Sequence, residues 1–210
     1  MTDFEENLEI IKSRENSLSK SIELINQFYN SGDFNKTNNE LFNLVRISEN
    51  LTERIRVLPV FTGYNQAIEE VENVIIEESG LSVTYKDDIV HLKIGSLLPR
   101  KEKETQRAGY IRTAAIVASE RFYRENKFDI IREPVVVVFK HNYSEENRAW
   151  RDHDNIEVNV IMDALALYFL SDDSAKTCDH FYFSEKGDID STDVFIIKKT
   201  KFERWLKDNY

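Results

Sequence analysis

Cys178 is the only cysteine in the chain, so no internal disulfide can form. Proline and glycine are scarce, three and six in 210 residues, which excludes low-complexity and collagen-like architectures. Basic residues are outnumbered 28 to 38, for a formal net charge of -10, and that balance excludes indiscriminate attraction to nucleic acid. No apolar run approaches the ~18 residues of a membrane span, so no membrane partner is expected. The opening Met1-Thr2-Asp3-Phe4-Glu5-Glu6 is acidic and polar, where a secretory leader needs a basic start and an apolar block. A cytoplasmic chain is the expectation. Its apolar fraction of 41% is enough for a packed core.

The charge is unevenly spread. Residues 81–151 hold 14 basic and 10 acidic side chains, whereas residues 152–196 hold 2 basic and 11 acidic. Such a basic flank beside an acidic centre is what a metal-dependent phosphodiesterase needs, and ordinary surface charge also takes this form.

Residues 3–58 read as two long helices. Leu8, Ile11, Leu18, Ile22, Ile25 and Tyr29 recur at helical spacing, as do Leu41, Leu44, Leu51, Ile55 and Leu58. Thr2 with Glu5, and Thr37 with Glu40, fit capping boxes. The turn signal Asn30-Ser31-Gly32-Asp33 makes the pair an antiparallel hairpin, suited to packing against a protein partner or a second copy in a homodimer. Pro59 closes the second helix. A third spans about Asn65 to Ser79 and ends at Gly80. Beyond it the predicted order is β-β-α-β-α-β-β-α, with the run Val135 to Phe139 as a strand buried on both faces. The expected fold is α+β (loosely α/β): a helical module over 1–79, then a small mixed sheet with helices over 80–210.

The chemistry-bearing stretch is Arg151-Asp152-His153-Asp154-Asn155, answered by Asp172-Asp173 across an apolar segment containing Asp163. Like charges gathered beside a buried helix repel and lose solvation, and a hard cation such as Mg²⁺ or Mn²⁺ would relieve both costs. Asp154 with Glu157 also fits a capping box for a helix starting at Asn155, which needs no metal. Asp152 and the later pair are not explained by a cap.

Asp152-His153-Asp154-Asn155, followed by Asp163-Ala164-Leu165 and Asp172-Asp173, resembles the signature of RusA-like Holliday junction resolvases. The likeness covers about residues 81–198, and its motifs lie in 151–173. It implies a Mg²⁺-dependent endonuclease acting on branched DNA. Asp152, Asp154 and Asp173 would be its catalytic metal carboxylates, with Asp172 beside them, and Arg100, Lys101, Lys103, Arg107, Arg112 and Arg151 would be its nucleic-acid contacts. Two positions depart from the pattern. Val158 stands where the family places a lysine, and the spacing from Asp154 to Asp163 is one residue longer. A second resemblance runs nearly end to end, to a family from mobile elements of Gram-positive bacteria that has no assigned activity. It is carried by Leu97-Leu98-Pro99-Arg100-Lys101, Tyr110-Ile111-Arg112, His141-Asn142-Tyr143, Arg151 to Glu157 and Ala166-Leu167-Tyr168.

His141 and His180 are candidates for a general base near neutral pH. Cys178 with His180 lacks the further ligands of a zinc site. Three functions therefore stand as expectations: a Mg²⁺-dependent endonuclease or its degenerate relative, a DNA-binding module without cleavage, and a non-catalytic interaction protein using residues 3–58.

Overall fold

The computed structural model describes residues 2–101, 105–145 and 150–210, with the backbone alone at 65 and 105–107. Helix α1 (Asp3–Asn30) and helix α2 (Phe34–Val57) form the expected hairpin. The capping box at Thr2 is closed: its N–H donates to the Glu5 carboxylate at 2.8 Å, and the Glu5 N–H donates back to the Thr2 hydroxyl at 3.3 Å. The second box is not formed. Asp33, directly after Gly32 in its left-handed turn (φ 76°), caps α2 instead by accepting the Lys36 N–H at 3.1 Å. Asp is among the strongest N-caps, so the helix starts one turn earlier than the Thr37–Glu40 pattern predicts. Thr37 then lies inside the helix, and Glu40 accepts the Ser21 hydroxyl of α1 at 2.6 Å.

Helix α2 stops before Pro59 and passes into a 3-10 turn, Leu58–Thr62. Helix α3 (Asn65–Ser79) follows. The chain divides into two compact units, Met1–Val71 and Glu72–Tyr210, so the division falls inside α3.

The second unit holds strands β1 (Ser82–Lys86) and β2 (Ile89–Ile94), helix α4 (Thr105–Asn126), strand β3 (Val135–Tyr143), helix α5 (Asn159–Tyr168), strands β4 (Cys178–Lys186) and β5 (Ser191–Lys198), and helix α6 (Lys199–Asn209). That is the expected element order and an α+β fold. The sheet runs β1-β2-β5-β3-β4, parallel only between β3 and β4. Side chains alternate along β3. Val136 and Val138 join Phe183, Ile197 and Trp205 of α6 in one core cluster. Val135, Val137, Phe139, His141 and Tyr143 occupy the other face and are also buried. Helices α4 and α5 pack together, and Phe122 of α4 meets Phe169, the residue directly after α5, with ring centroids 5.9 Å apart.

The segment after Asp152 departs from the sequence expectation. A helix starting at Asn155 is predicted. Instead Asp152 precedes a 3-10 turn, His153–Asn155, and the chain then extends, with Ile156 bridged to Arg100. Helix α5 begins only at Asn159, without a side-chain cap. The Asp154–Glu157 box does not form; the Glu157 N–H donates to the Pro99 carbonyl at 2.8 Å, and its carboxylate accepts the Asn159 N–H at 3.2 Å. Ile156 and Val158 are both buried. An extended segment places these alternate β-branched side chains inward together, which one more helical turn would not do.

Gly80 and Gly95 meet back to back where β1 begins and β2 has just ended. A Cβ on either would lie 3.1 Å from the other's Cα, and Gly80 also has a φ of 59°. Gly95→Ala and Gly80→Ala should each cost about 1–3 kcal/mol of unfolding free energy in urea titrations. Neutral behaviour of both would show that the two backbones are free to move apart.

Candidate functional site

The alternation of β3 sets a row of ring-bearing residues on one face: Phe139, His141 and Tyr143. The segment from Trp150 to Asn155 runs over that row. The Trp150 indole stacks on Tyr143, with centroids 5.1 Å apart and planes 12° apart. The Tyr143 hydroxyl accepts the Arg151 N–H at 3.1 Å. His153 lies over His141 at 5.9 Å between centroids, and its Nε2 is 3.0 Å from the Ser184 hydroxyl on β4. A second strip, anchored by buried Leu97 and Leu98, approaches from the other side. The Lys101 N–H donates to the Asn155 carbonyl at 2.9 Å, and the Arg151 guanidinium donates to the Leu98 carbonyl. Between the strips is a cavity of about 250 Å³ lined by Arg100, Lys101, Trp150, Arg151, Asp152 and Asn155. Three cations, one carboxylate, one amide and one indole therefore share one wall system. Such a lining has the donors and the flat face to suit anionic and planar groups.

Arg100, Lys101 and Arg151, expected as nucleic-acid contacts, are thus brought together with Asp152, expected as a metal carboxylate. Lys103 and the side chain of Arg107 lie outside the described residues. Arg112 pairs with Asp163 at 3.1 Å on an exposed surface. The Asp172 carboxylate accepts the Ser174 hydroxyl at 2.7 Å, the Ser174 N–H at 3.0 Å and the Thr177 hydroxyl at 2.9 Å. Those bonds, Ser174's first, hold its pKa below the ordinary value. Asp154 and Asp173 are exposed. Among the described residues, no three His, Cys, Asp or Glu side chains gather into a set that could hold a metal ion. The 3-10 turn breaks the alternation that would have aimed Asp152 and Asp154 to one side, and Asp172 is engaged in the turn leading to β4.

His141 and His180 do not meet. His141 is fully buried, its Nδ1 is 3.2 Å from the Thr192 hydroxyl, and its Nε2 has no hydrogen-bond partner. Burial, reinforced by the charges of His153 and Arg151, pushes its pKa down to about 4. At neutral pH it is a neutral wedge rather than a poised base. His180 pairs across the sheet with Val137, four residues along β3 from His141 and so about 13 Å away. Its Nδ1 is 3.0 Å from the Tyr182 hydroxyl. The Cys178 thiol is pushed up to about 11, by burial first and then by Asp173, Asp179 and Asp172. It is therefore no thiolate at neutral pH.

Sequence reasoning gave Trp150, Tyr143 and Asn155 no role in a site, although Tyr143 and Asn155 lie in motifs it singled out. A tryptophan immediately before Arg151 in a polar loop was the available signal. A further polar network, on the α6 face of the sheet, also escaped it. Asp193 contacts His91 Nε2 at 2.7 Å and accepts from the Asn142 amide at 2.8 Å, and Asn142 also donates to Ser191 at 3.0 Å. Burial would raise the Asp193 pKa, but the bonds from His91 and Asn142 outweigh it and hold the pKa below the ordinary value.

No helix among the described residues is long and apolar enough to cross a membrane. The chain belongs to a family of unknown function, DUF6100, whose sequence model matches residues 1–210. No curated protein matches the chain.

Burial of neutral His141 links stability to pH. Its folded pKa of about 4 lies below the ordinary 6.5. Between those values the unfolded chain binds more protons, so stability is lost as pH falls from about 6.5 toward 4. The loss from this residue should be about 3 kcal/mol. Urea titrations across that range should show the slope in the native chain and a flatter one in His141→Asn. Equal slopes would mean that His141 titrates normally in the fold.

Proposed function

We propose that this protein binds the sugar-phosphate backbone of DNA through the cavity between the Pro99–Lys101 strip and the Trp150–Asn155 segment. One observation carries the reading: Arg100 and Lys101 line the same cavity as Arg151, which stands about 50 residues later in the chain. The local excess of positive charge over residues 81–151 supports it, within a chain whose overall charge disfavours indiscriminate binding. Binding stands ahead of Mg²⁺-dependent cleavage, because the described carboxylates do not gather as a metal site.

The test is a titration of labelled branched and linear DNA over a range of salt, with and without Mg²⁺. Arg100→Ala and Lys101→Ala should each weaken binding about fivefold or more and lower the salt dependence by about one ion. Binding without nicking is the expected outcome. Metal-dependent nicking that disappears in both Asp152→Asn and Asp173→Asn would replace this reading with the endonuclease one. Absence of DNA binding in the native chain would end both.

The hairpin supports a second, separate role in association with another copy of the chain. Within α1 and α2 only Ser21, Thr37 and Ile47 are buried. Tyr29 and Phe34 meet edge-on at 6.1 Å, yet each is 62% exposed. Ile22, Leu41, Val45 and Ile55 remain exposed at helical spacing on the same two helices. Pairing two such hairpins would build a four-helix bundle around these side chains. Light scattering after gel filtration should give twice the single-chain mass for the native protein, and Phe34→Glu with Val45→Glu should return it to one chain. A native protein that runs as one chain at micromolar concentration would remove this role.

A further inference from the structure

We infer that the cavity takes an unpaired nucleobase, stacked on Trp150, so that the protein selects single-stranded over fully paired DNA. The inference rests on the backbone-binding reading above and goes beyond it. A site for phosphate alone would be lined by cations and backbone N–H groups. This one carries Asp152 and Asn155 in the same wall. A carboxylate repels phosphate but accepts from the amino and ring N–H groups on a base edge, and an amide can both donate and accept there.

Trp150 supplies the platform. It is 50% exposed, while the Tyr143 ring beneath it is fully buried. Near-parallel stacking on Tyr143 presses one indole face inward and holds the ring in place, leaving surface for a second ring. The hydrogen bond from the Arg151 N–H to the Tyr143 hydroxyl fixes the backbone next to it. A planar base therefore meets a ring whose position is already set, with little ordering still to be done on binding. Arg100, Lys101 and Arg151 are close enough to share the cavity and can take the flanking phosphates. At about 250 Å³ the cavity lies below the ~300–1,000 Å³ of drug-sized sites and suits one base rather than a base pair. In a paired duplex the base faces are occupied by their own stack, so only an unpaired or extruded base can use the indole.

The experiment compares short single-stranded DNA with a blunt duplex of the same length, read by fluorescence anisotropy, in the native chain, Trp150→Ala, Trp150→Phe and Lys101→Ala. The native chain should prefer the single strand. Trp150→Ala should weaken single-strand binding by about 5- to 150-fold, the range measured per stacked base, and leave duplex binding within about twofold. Trp150→Phe should restore most of the loss, because phenylalanine keeps a stacking face. Lys101→Ala should weaken both ligands alike. If Lys101→Ala acts but Trp150→Ala weakens neither ligand, or both equally, base stacking is overturned and backbone binding stands. If the native chain binds neither ligand, both readings are overturned.

Discussion

Strand β3 alternates, and the candidate site depends on that alternation. Its even-numbered valines serve the core under α6. Its odd-numbered positions end in Phe139, His141 and Tyr143, all buried on the opposite face. Rings near the strand's end need cover, and the segment from Trp150 to Asn155 supplies it, Trp150 over Tyr143 and His153 over His141. Covering Tyr143 places Arg151 and Asp152 beside the Leu98–Lys101 strip. The cavity is thus a consequence of how one strand end is sealed.

That seal has an electrostatic character of its own. His141 is held neutral under two groups able to carry positive charge, His153 and Arg151, and burial is the larger reason. Arg151 is steered by a backbone carbonyl on the other strip, so its charge is positioned by the fold. Asp152 lies in the same wall and offsets part of the positive charge. The outcome is a mixed-sign lining, different from the single-sign carboxylate cluster that a divalent ion asks for.

Much of the architecture was legible in the sequence. The heptad-like stripes gave both hairpin helices, and the valine run gave the buried strand. The order of elements after Gly80 followed from periodicity and turn residues. The misreadings share one cause, in that local signals were outweighed by nearby competitors. Thr37 lost the cap to Asp33, which follows a left-handed glycine and is the stronger N-cap. Asp154 lost its helix because burying Ile156 and Val158 together needs an extended chain. The candidate site was half legible. Arg100, Lys101, Arg151 and Asp152 were named, but their meeting depends on a bridge between Arg100 and Ile156 that no local pattern encodes. Trp150 went unread because a lone aromatic in a polar loop carries no periodicity.

The most direct check on the central claim is photo-crosslinking of a single-stranded oligonucleotide carrying 5-iododeoxyuridine, followed by peptide mapping. A stacked base reacts with the aromatic ring it touches, so the adduct should fall on Trp150. Adducts confined to residues 3–58 or to α6, with none on Trp150, would contradict the account.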